Sequence, residues 1–183
     1  MTRIVNNCVA LVCLCLFWGQ NLRAADASHS EQIKWGNESV FNEEHNTLGL
    51  FSGVLGGQIV WAGGTSDDYS RWGRNAVCLS ENAGFALYED VLSKPLAYGA
   101  SITLSDGILC IGGRDSSQCY EDVFFVTMQQ GKLNVSEDWP PLPFPLSNAA
   151  GALLDNKVYL FGGRKSVSPS RLSDSFFVLD LSN

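Results

Sequence analysis

Two arginines occupy matching places in the sequence, each directly after two consecutive glycines. Arg114 and Arg164 are 50 residues apart and have similar apolar residues before them. A guanidinium group can hold a carboxylate through two parallel N–H···O bonds. It can equally pair with an acid of a neighbouring loop and hold the two loops together. The sequence therefore predicts arginines that either bind a carboxylate or tie loops.

Two acids near Arg114 are candidates for a general acid or base. Asp115 is the next residue, and Glu121 stands at the start of an apolar run. A carboxyl group can take up or release a proton at a reacting oxygen when its pKa suits that step. Glu121 and Asp122 are also typical of a solvated turn that leads into a strand. The catalytic residue is therefore left unassigned.

Composition excludes several classes of partner and cofactor. The formal net charge is -7, with 12 Lys and Arg against 19 Asp and Glu, whereas binding to nucleic acid requires clustered basic residues. The histidines are His29 and His45, and no Cys-x-x-Cys spacing occurs. We therefore predict no nucleic-acid partner, no metal site and no cofactor.

The glycine pairs belong to a repeat. The stretches "LGLFSGVLGGQIVWAGG", "LAYGASITLSDGILCIGG" and "LSNAAGALLDNKVYLFGG" align with one residue of adjustment. Each indicates an apolar strand, a tight turn rich in Gly, Asp or Asn, and a second apolar strand. The pairs that end them are Gly63 and Gly64, Gly112 and Gly113, and Gly162 and Gly163.

Two further strands complete each repeat. Third strands are predicted within residues 121–128 and 173–181, and a fourth strand ends near residues 137–143. Four antiparallel strands in about fifty residues is the size of one β-propeller blade. Trp139 and Tyr88 are expected to pack between blades. The sequence thus predicts an all-β fold of three blades, 47–95, 96–145 and 146–183, of which the last is incomplete.

Blade geometry predicts where the polar residues lie. Because the first two strands of a blade are antiparallel, the start of the first and the end of the second lie at one end. Tyr98 should therefore meet Arg114, and Asn148 should meet Arg164, around one mouth of the central channel. In the first blade the same places are held by Gly49 and Thr65, followed by a polar loop containing Asp67, Asp68, Arg71 and Arg74.

The motifs "IVWAGG", "ILCIGGR" and "VYLFGGR" resemble Kelch repeats, from about Trp35 to the C-terminus. The first repeat together with "KPLAYGASITLSDGILCIGGRDSSQCYEDVFFV" is similar to bacterial mutarotases of the N-acetylneuraminate epimerase type, including the cyclically permuted branch. Those proteins are exported six-bladed propellers that interconvert sialic acid anomers.

This resemblance implies an exported mutarotase or epimerase for sialic acid or a similar acidic sugar. Arg114, Arg164, Tyr98 and Asn148 would then bind the sugar, without a cofactor. Asp115 and Glu121 are the catalytic candidates. The alternative is a non-catalytic Kelch-repeat module that binds a glycan or a protein through the same mouth.

Three blades are about half of a six-bladed ring, and a propeller needs at least four blades to close. The simplest expectation is an inactive, truncated copy of a longer chain, and the alternative is a half-propeller that dimerises. Open blade edges would favour self-association in either case.

The N-terminus is predicted to be a leader. Residues 1–25 place Arg3 before an apolar run at residues 9–18 and small residues at Ala24 and Ala25, the layout of a secretory signal peptide. The mature protein is therefore expected to be periplasmic or secreted and to keep no stable membrane anchor. Residues 26–46 are expected to be a linker with a ring-closing outer strand around Trp35.

Three cysteines remain after the leader: Cys78, Cys110 and Cys119. An exported protein can form disulfides, but three is an odd number. Cys110 lies within an apolar strand and is expected to be a buried free thiol. A Cys110–Cys119 bridge is the alternative.

Overall fold

The structure is a computed structural model that describes residues 48–182. The predicted leader and the predicted strand around Trp35 lie outside the described residues. Within these residues the chain forms strands, turns and loops. No helix among residues 48–182 is long and apolar enough to cross a membrane.

Thirteen strands make up the described part of the chain. Blade 1 contains β1 (Phe51–Leu55), β2 (Gln58–Ala62), β3 (Ala76–Ser80) and β4 (Gly84–Tyr88). Blade 2 contains β5 (Ala100–Thr103), β6 (Ile108–Ile111), β7 (Val123–Gln129) and β8 (Lys132–Ser136). Blade 3 contains β9 (Ala150–Leu154), β10 (Lys157–Phe161) and β13 (Phe176–Asp180). Between the last two, β11 (Arg164–Ser166) and β12 (Arg171–Leu172) form a separate hairpin.

Each blade is a meander of sequential antiparallel strands. The orders are β1-β2-β3-β4, β5-β6-β7-β8 and β9-β10-β13. The predicted pairing within blade 2 is confirmed, since Ala100 lies opposite Ile111 and Thr103 lies opposite Ile108. The all-β prediction with four-stranded antiparallel blades is confirmed, and the third blade has three strands in the described residues.

The turns between the first two strands of blades 1 and 3 use left-handed backbone. Gly56 and Gly57 join β1 to β2 with φ values of 55° and 79°. In blade 3 the same turn begins at Asp155, with φ of 54°. Glycine adopts this conformation without steric cost, and aspartate is among the residues that tolerate it best. The turn chemistry read from the sequence therefore fixes the strand register.

The blades pack face to face. We call the face of a blade that points to the preceding blade its leading face, and the opposite one its trailing face. One core cluster joins the trailing face of blade 1 to the leading face of blade 2: Val60, Ala62, Ala76 and Cys78 against Ile108, Cys110, Phe124 and Val126. The second joins blade 2 to blade 3 in the same way: Leu109, Ile111, Val123 and Phe125 against Val158, Leu160, Phe177 and Leu179.

Aromatic residues close the outer part of each interface, as predicted. Trp139 packs on Phe125, with ring centroids 5.4 Å apart, and belongs to the cluster between blades 2 and 3. Tyr88 packs against the cluster between blades 1 and 2. Trp139 follows β8 and is not part of it, because the strand ends at Ser136.

In blades 1 and 2 the first glycine of the pair makes room for the next blade. A Cβ atom on Gly63 would lie 2.2 Å from the carbonyl oxygen of Leu96, and one on Gly112 would lie 2.2 Å from that of Leu146. The following N–H group, that of Gly113, donates to Leu146 O at 2.8 Å. The glycines therefore let the connecting segment of the next blade lie against the backbone.

Within residues 48–182, Cys78, Cys110 and Cys119 are buried free thiols. The prediction of a buried Cys110 is confirmed, and the alternative Cys110–Cys119 bridge is not formed. Burial raises the pKa of the thiols of Cys78 and Cys110, because a low-dielectric surrounding disfavours the thiolate.

Candidate functional site

One end of the blades carries a row of left-handed residues. Gly49, Tyr98 and Asn148 stand two residues before β1, β5 and β9, with φ values of 66°, 62° and 57°. Tyr98 N donates to Gly49 O at 2.7 Å, and Asn148 N donates to Tyr98 O at 2.7 Å. These main-chain hydrogen bonds join the three blades at what we call the mouth.

The chain returns to the mouth after each glycine pair. Arg114 pairs with Ala97, and Arg164 with Ser147, through reciprocal main-chain hydrogen bonds of 2.7–2.9 Å. The structure thus places Tyr98 next to the segment of Arg114, and Asn148 next to that of Arg164, at the same end of neighbouring blades. Antiparallel pairing of the first two strands is the cause.

The guanidinium group of Arg114 lies among three aromatic rings. Its carbon Cζ is 4.8 Å from the ring centroid of Tyr98, 4.9 Å from that of Trp72 and 5.8 Å from that of Tyr69. Tyr69 and Trp72 belong to the loop that follows the glycine pair of blade 1, so the cluster spans blades 1 and 2. Cation–π attraction in such a position contributes about 0.5–2 kcal/mol. We call these four residues the arginine cluster.

The arginine keeps unused hydrogen-bonding capacity. Its Nη1 donates to Asp115 O at 3.2 Å, and its Nε is buried without a hydrogen-bond partner in the described residues. The ion pairs within residues 48–182 join Arg74 to Asp90, Lys94 to Asp122 and Lys157 to Asp180. Arg114 is thus not tied to an acid there, and an unpartnered buried donor costs about 1–3 kcal/mol.

Two of the aromatic residues hold a strained backbone. Tyr69 and Tyr98 have φ values of 60° and 62°, a region rarely occupied by bulky residues that costs roughly 1–2 kcal/mol. Strain of this kind is concentrated at binding and catalytic sites. A Cβ atom on Gly49 would lie 2.7 Å from the Tyr98 ring, so glycine is required beneath that ring.

The phenol of Tyr98 stays protonated at neutral pH. Burial and a hydrogen bond with Tyr69 raise the pKa of Tyr98 to about 12, although the charge of Arg114 acts in the opposite direction. The Tyr98 hydroxyl is therefore neutral at physiological pH. It can donate a hydrogen bond to a ligand as well as accept one.

Asp115 braces its own loop. Its Oδ1 accepts hydrogen bonds from Ser117 N at 2.7 Å, Ser117 Oγ at 2.8 Å and Gln118 N at 2.9 Å, and Oδ2 accepts one from Tyr120 Oη at 2.6 Å. Burial alone would raise the pKa of Asp115, but these hydrogen bonds outweigh it and lower the pKa to about 2. The carboxylate is ionised, and both of its oxygens are engaged.

Asp68 does the same in blade 1. Its Oδ1 accepts from Ser66 Oγ at 2.6 Å, Ser70 N at 3.0 Å and Ser70 Oγ at 2.8 Å. These bonds lower the pKa of Asp68 to about 2. An Asp-x-Ser pattern in both loops is the sequence signal for this role.

The other predicted residues do not join the arginine cluster. Asn148 Oδ1 accepts a hydrogen bond from Ser147 Oγ at 3.1 Å, and Arg164 is half-buried in β11. Glu121 is exposed, and its carbonyl oxygen accepts from Leu142 N at 2.8 Å. Arg71 is exposed as well, and the side chain of Arg74 is paired with Asp90.

Tyr69 and Trp72 were not identified from the sequence. Their signal was present as Tyr-x-x-Trp within a polar loop that was already expected at the mouth. The indole nitrogen Nε1 of Trp72 donates to Tyr69 O at 3.1 Å, so the loop itself sets the spacing of the two rings.

Comparison with known proteins gives one family match. Residues 145–183 match the model of the Kelch motif. No curated protein matches the chain. The matched segment is blade 3 with the connection that leads into it. Since blades 1 and 2 repeat its strand order and its glycine pair, the fold is an incomplete Kelch-type β-propeller.

Proposed function

We propose that this Kelch-repeat module binds a carboxylated sugar at the mouth, with Arg114 as the residue that holds the carboxylate. The observation that carries the proposal is the guanidinium of Arg114, which has no acid partner in the described residues and a buried, unpartnered Nε. A charged donor in this state gains more from an incoming carboxylate than a solvated one does.

The surroundings of Arg114 suit a sugar ring. The faces of Trp72 and Tyr69 offer apolar surface for the C–H groups of a sugar, and the Tyr98 hydroxyl offers a polar contact. Small-molecule sites in proteins commonly combine aromatic walls with a few fixed polar groups. Sialic acid and related acidic sugars have both the carboxylate and the ring.

Mutarotation of such a sugar, the activity that the family resemblance implies, is the second candidate function. Ring opening needs one group that removes the anomeric proton and one that protonates the ring oxygen. The Tyr98 ring lies 4.8 Å from the guanidinium carbon of Arg114, and its hydroxyl, with a pKa raised to about 12, favours this candidate as a proton donor to the ring oxygen. Asp115 is less suited to it because its two oxygens are occupied.

Calorimetric titration with N-acetylneuraminate and with a neutral N-acetylated hexose tests the first proposal. We expect the acidic sugar to bind and Arg114→Ala to weaken it about tenfold to a hundredfold, the loss of one hydrogen bond to a charged group at about 1.5–3 kcal/mol. Arg114→Lys should recover part of the loss, because lysine cannot present the planar fork.

Arg71→Ala is the matched control, since it removes an exposed arginine from a loop at the same mouth. It should leave affinity unchanged. Equal affinity for the neutral sugar, or an unchanged affinity in Arg114→Ala, would show that Arg114 only positions loops. NMR observation of the α-to-β conversion then separates the two candidates. We expect this chain to bind without accelerating conversion, and acceleration abolished by Tyr98→Phe would establish the isomerase.

A further inference from the structure

The trailing face of blade 3 is apolar and uncovered within the described residues. Its positions are equivalent to positions that are buried between blades 1 and 2 and between blades 2 and 3. Phe161, Phe176 and Val178 are 57%, 60% and 48% exposed, whereas their equivalents in blade 2, Ile111, Val123 and Phe125, are 4%, 5% and 9% exposed. Blade 3 thus presents the surface that elsewhere in this chain packs against a following blade.

The leading face of blade 1 is the complementary surface. Ile59 on β2 is 41% exposed, whereas its equivalents Ile108 and Val158 are 2% and 1% exposed. Leu87 on β4, which is 52% exposed, extends the same face because it pairs with Val77 across the sheet. Blade 1 thus presents the surface that elsewhere packs against a preceding blade.

The backbone of blade 3 is prepared for a following blade as well. Among residues 48–182, the one atom within 4 Å of a Cβ atom on Gly162 is Ser173 O, at 3.9 Å. Gly63 and Gly112, by contrast, each face a carbonyl oxygen of the next blade. Gly113 N donates to such a carbonyl. Among residues 48–182 no acceptor is found for the equivalent N–H of Gly163.

The outer edge of blade 3 also contains an open groove. A groove of about 230 Å³ lies between the connecting segment at Leu142 and the residues Phe177 and Leu179 of blade 3. The equivalent space beside Leu92 and Phe124 is about 10 Å³, and Val135 of β8 lines it. The larger groove therefore corresponds to the place of a fourth strand.

We propose that a second copy of this chain covers these surfaces, with the leading face of its blade 1 on the trailing face of blade 3, and reciprocally. The internal interfaces establish that leading and trailing faces of this sequence fit each other, with four apolar positions on each side. Two such contacts related by a twofold axis close a ring of six blades, which lies within the usual range of four to eight. Heterologous contacts that close in this way give a finite assembly.

Sedimentation equilibrium of the full chain tests the proposal. Twice the chain mass, approached reversibly with rising concentration, is the expected result. Ile59→Lys on the leading face and Phe176→Asp on the trailing face should each weaken association on the order of tenfold or more, because each would bury an unpaired charge. Asn134→Lys, at an exposed residue of the outer strand β8 of blade 2 and on neither of the two open faces, is the control and should leave association unchanged.

Mixing the two variants distinguishes this arrangement from unspecific association. A mixed pair has one unmodified contact and one Lys–Asp contact, so the mixture should associate more tightly than either variant alone. Concentration-dependent hydrogen-exchange protection of β13 and of β4 gives a second readout in the unmodified chain. A monomer at every concentration, open-ended oligomers, or an unchanged dimer in Ile59→Lys would overturn the proposal.

Discussion

Substitution of the glycine that faces the next blade should cost far more in blade 2 than in blade 3. Both Gly112 and Gly162 have left-handed backbone, with φ values of 64° and 71°, so alanine costs about 1–2 kcal/mol at either place. At Gly112 the new Cβ would also lie 2.2 Å from Leu146 O, whereas at Gly162 the nearest atom is 3.9 Å away. The difference between the two substitutions therefore isolates the contact between blades.

The magnitude follows from what must move. Relief of the clash at Gly112 shifts the connecting segment and weakens the hydrogen bond of 2.8 Å from Gly113 N to Leu146 O, worth about 0.5–1.5 kcal/mol. Overpacking of the interface adds about 1–3 kcal/mol. Gly112→Ala should thus lower the free energy of unfolding by about 1.5–4.5 kcal/mol more than Gly162→Ala does. The reduced freedom of the unfolded chain is common to both variants and cancels.

Urea unfolding followed by tryptophan fluorescence and by far-ultraviolet circular dichroism measures the difference. All variants are made in a chain that also carries Phe176→Asp, which is expected to keep it monomeric, so that no second copy covers Gly162. Gly131→Ala is a further control, because Gly131 has φ of 75° and no atom within 4 Å of an added Cβ. Equal costs at residues 112 and 162 would mean that the glycine is needed only for its φ, and that the blade contact has been misjudged.

Three other outcomes are expected. Gly49→Ala should reduce affinity for an acidic sugar in calorimetry, because the new Cβ would displace the Tyr98 ring. Unchanged affinity would show that the Tyr98 ring does not take part in binding. Asp115 has its pKa lowered from 3.8 to about 2, so it contributes stability above pH 3.8 that is lost as the pH falls through about 2. Asp115→Asn should therefore flatten the acid limb of the unfolding free energy, and an unaltered limb would contradict the bracing role. Cys78 and Cys110 should react with a thiol reagent at pH 8 only after unfolding, and rapid reaction of the native protein would contradict their burial.

The blades could be predicted because their signals are local and repeated. Turn residues set each hairpin, and the alternation of apolar residues within strands such as β10 assigns a face to each side chain. The glycine pairs marked the second strand correctly in all three blades. Their contact was less visible, because the carbonyl oxygens of Leu96 and Leu146 belong to connecting segments more than thirty residues away.

The meeting of Tyr98 and Arg114 at one end of blade 2 could be predicted, but the other members of the arginine cluster could not. Antiparallel pairing alone brings Tyr98 and Arg114 to one end of blade 2. Tyr69 and Trp72 belong to a loop of blade 1, and Tyr69 has left-handed backbone, which the periodicity of the sequence does not indicate. The β11–β12 hairpin was missed for a similar reason, since a three-residue strand and a two-residue strand carry too few side chains to form a pattern.

The row of main-chain hydrogen bonds through Gly49, Tyr98 and Asn148 has a consequence for how this scaffold can change. The bonds are made by peptide groups, so any residue other than proline that adopts the left-handed backbone at those positions can keep the blades joined at the mouth. A new side chain at one of these positions changes the chemistry of the surface at the mouth but leaves the main-chain connection between the blades in place. Glycine, asparagine and aspartate enter most easily because they tolerate left-handed backbone. Libraries limited to glycine, asparagine and aspartate at residues 98 and 148, with Gly49 kept, should therefore retain folding in a large share of their members.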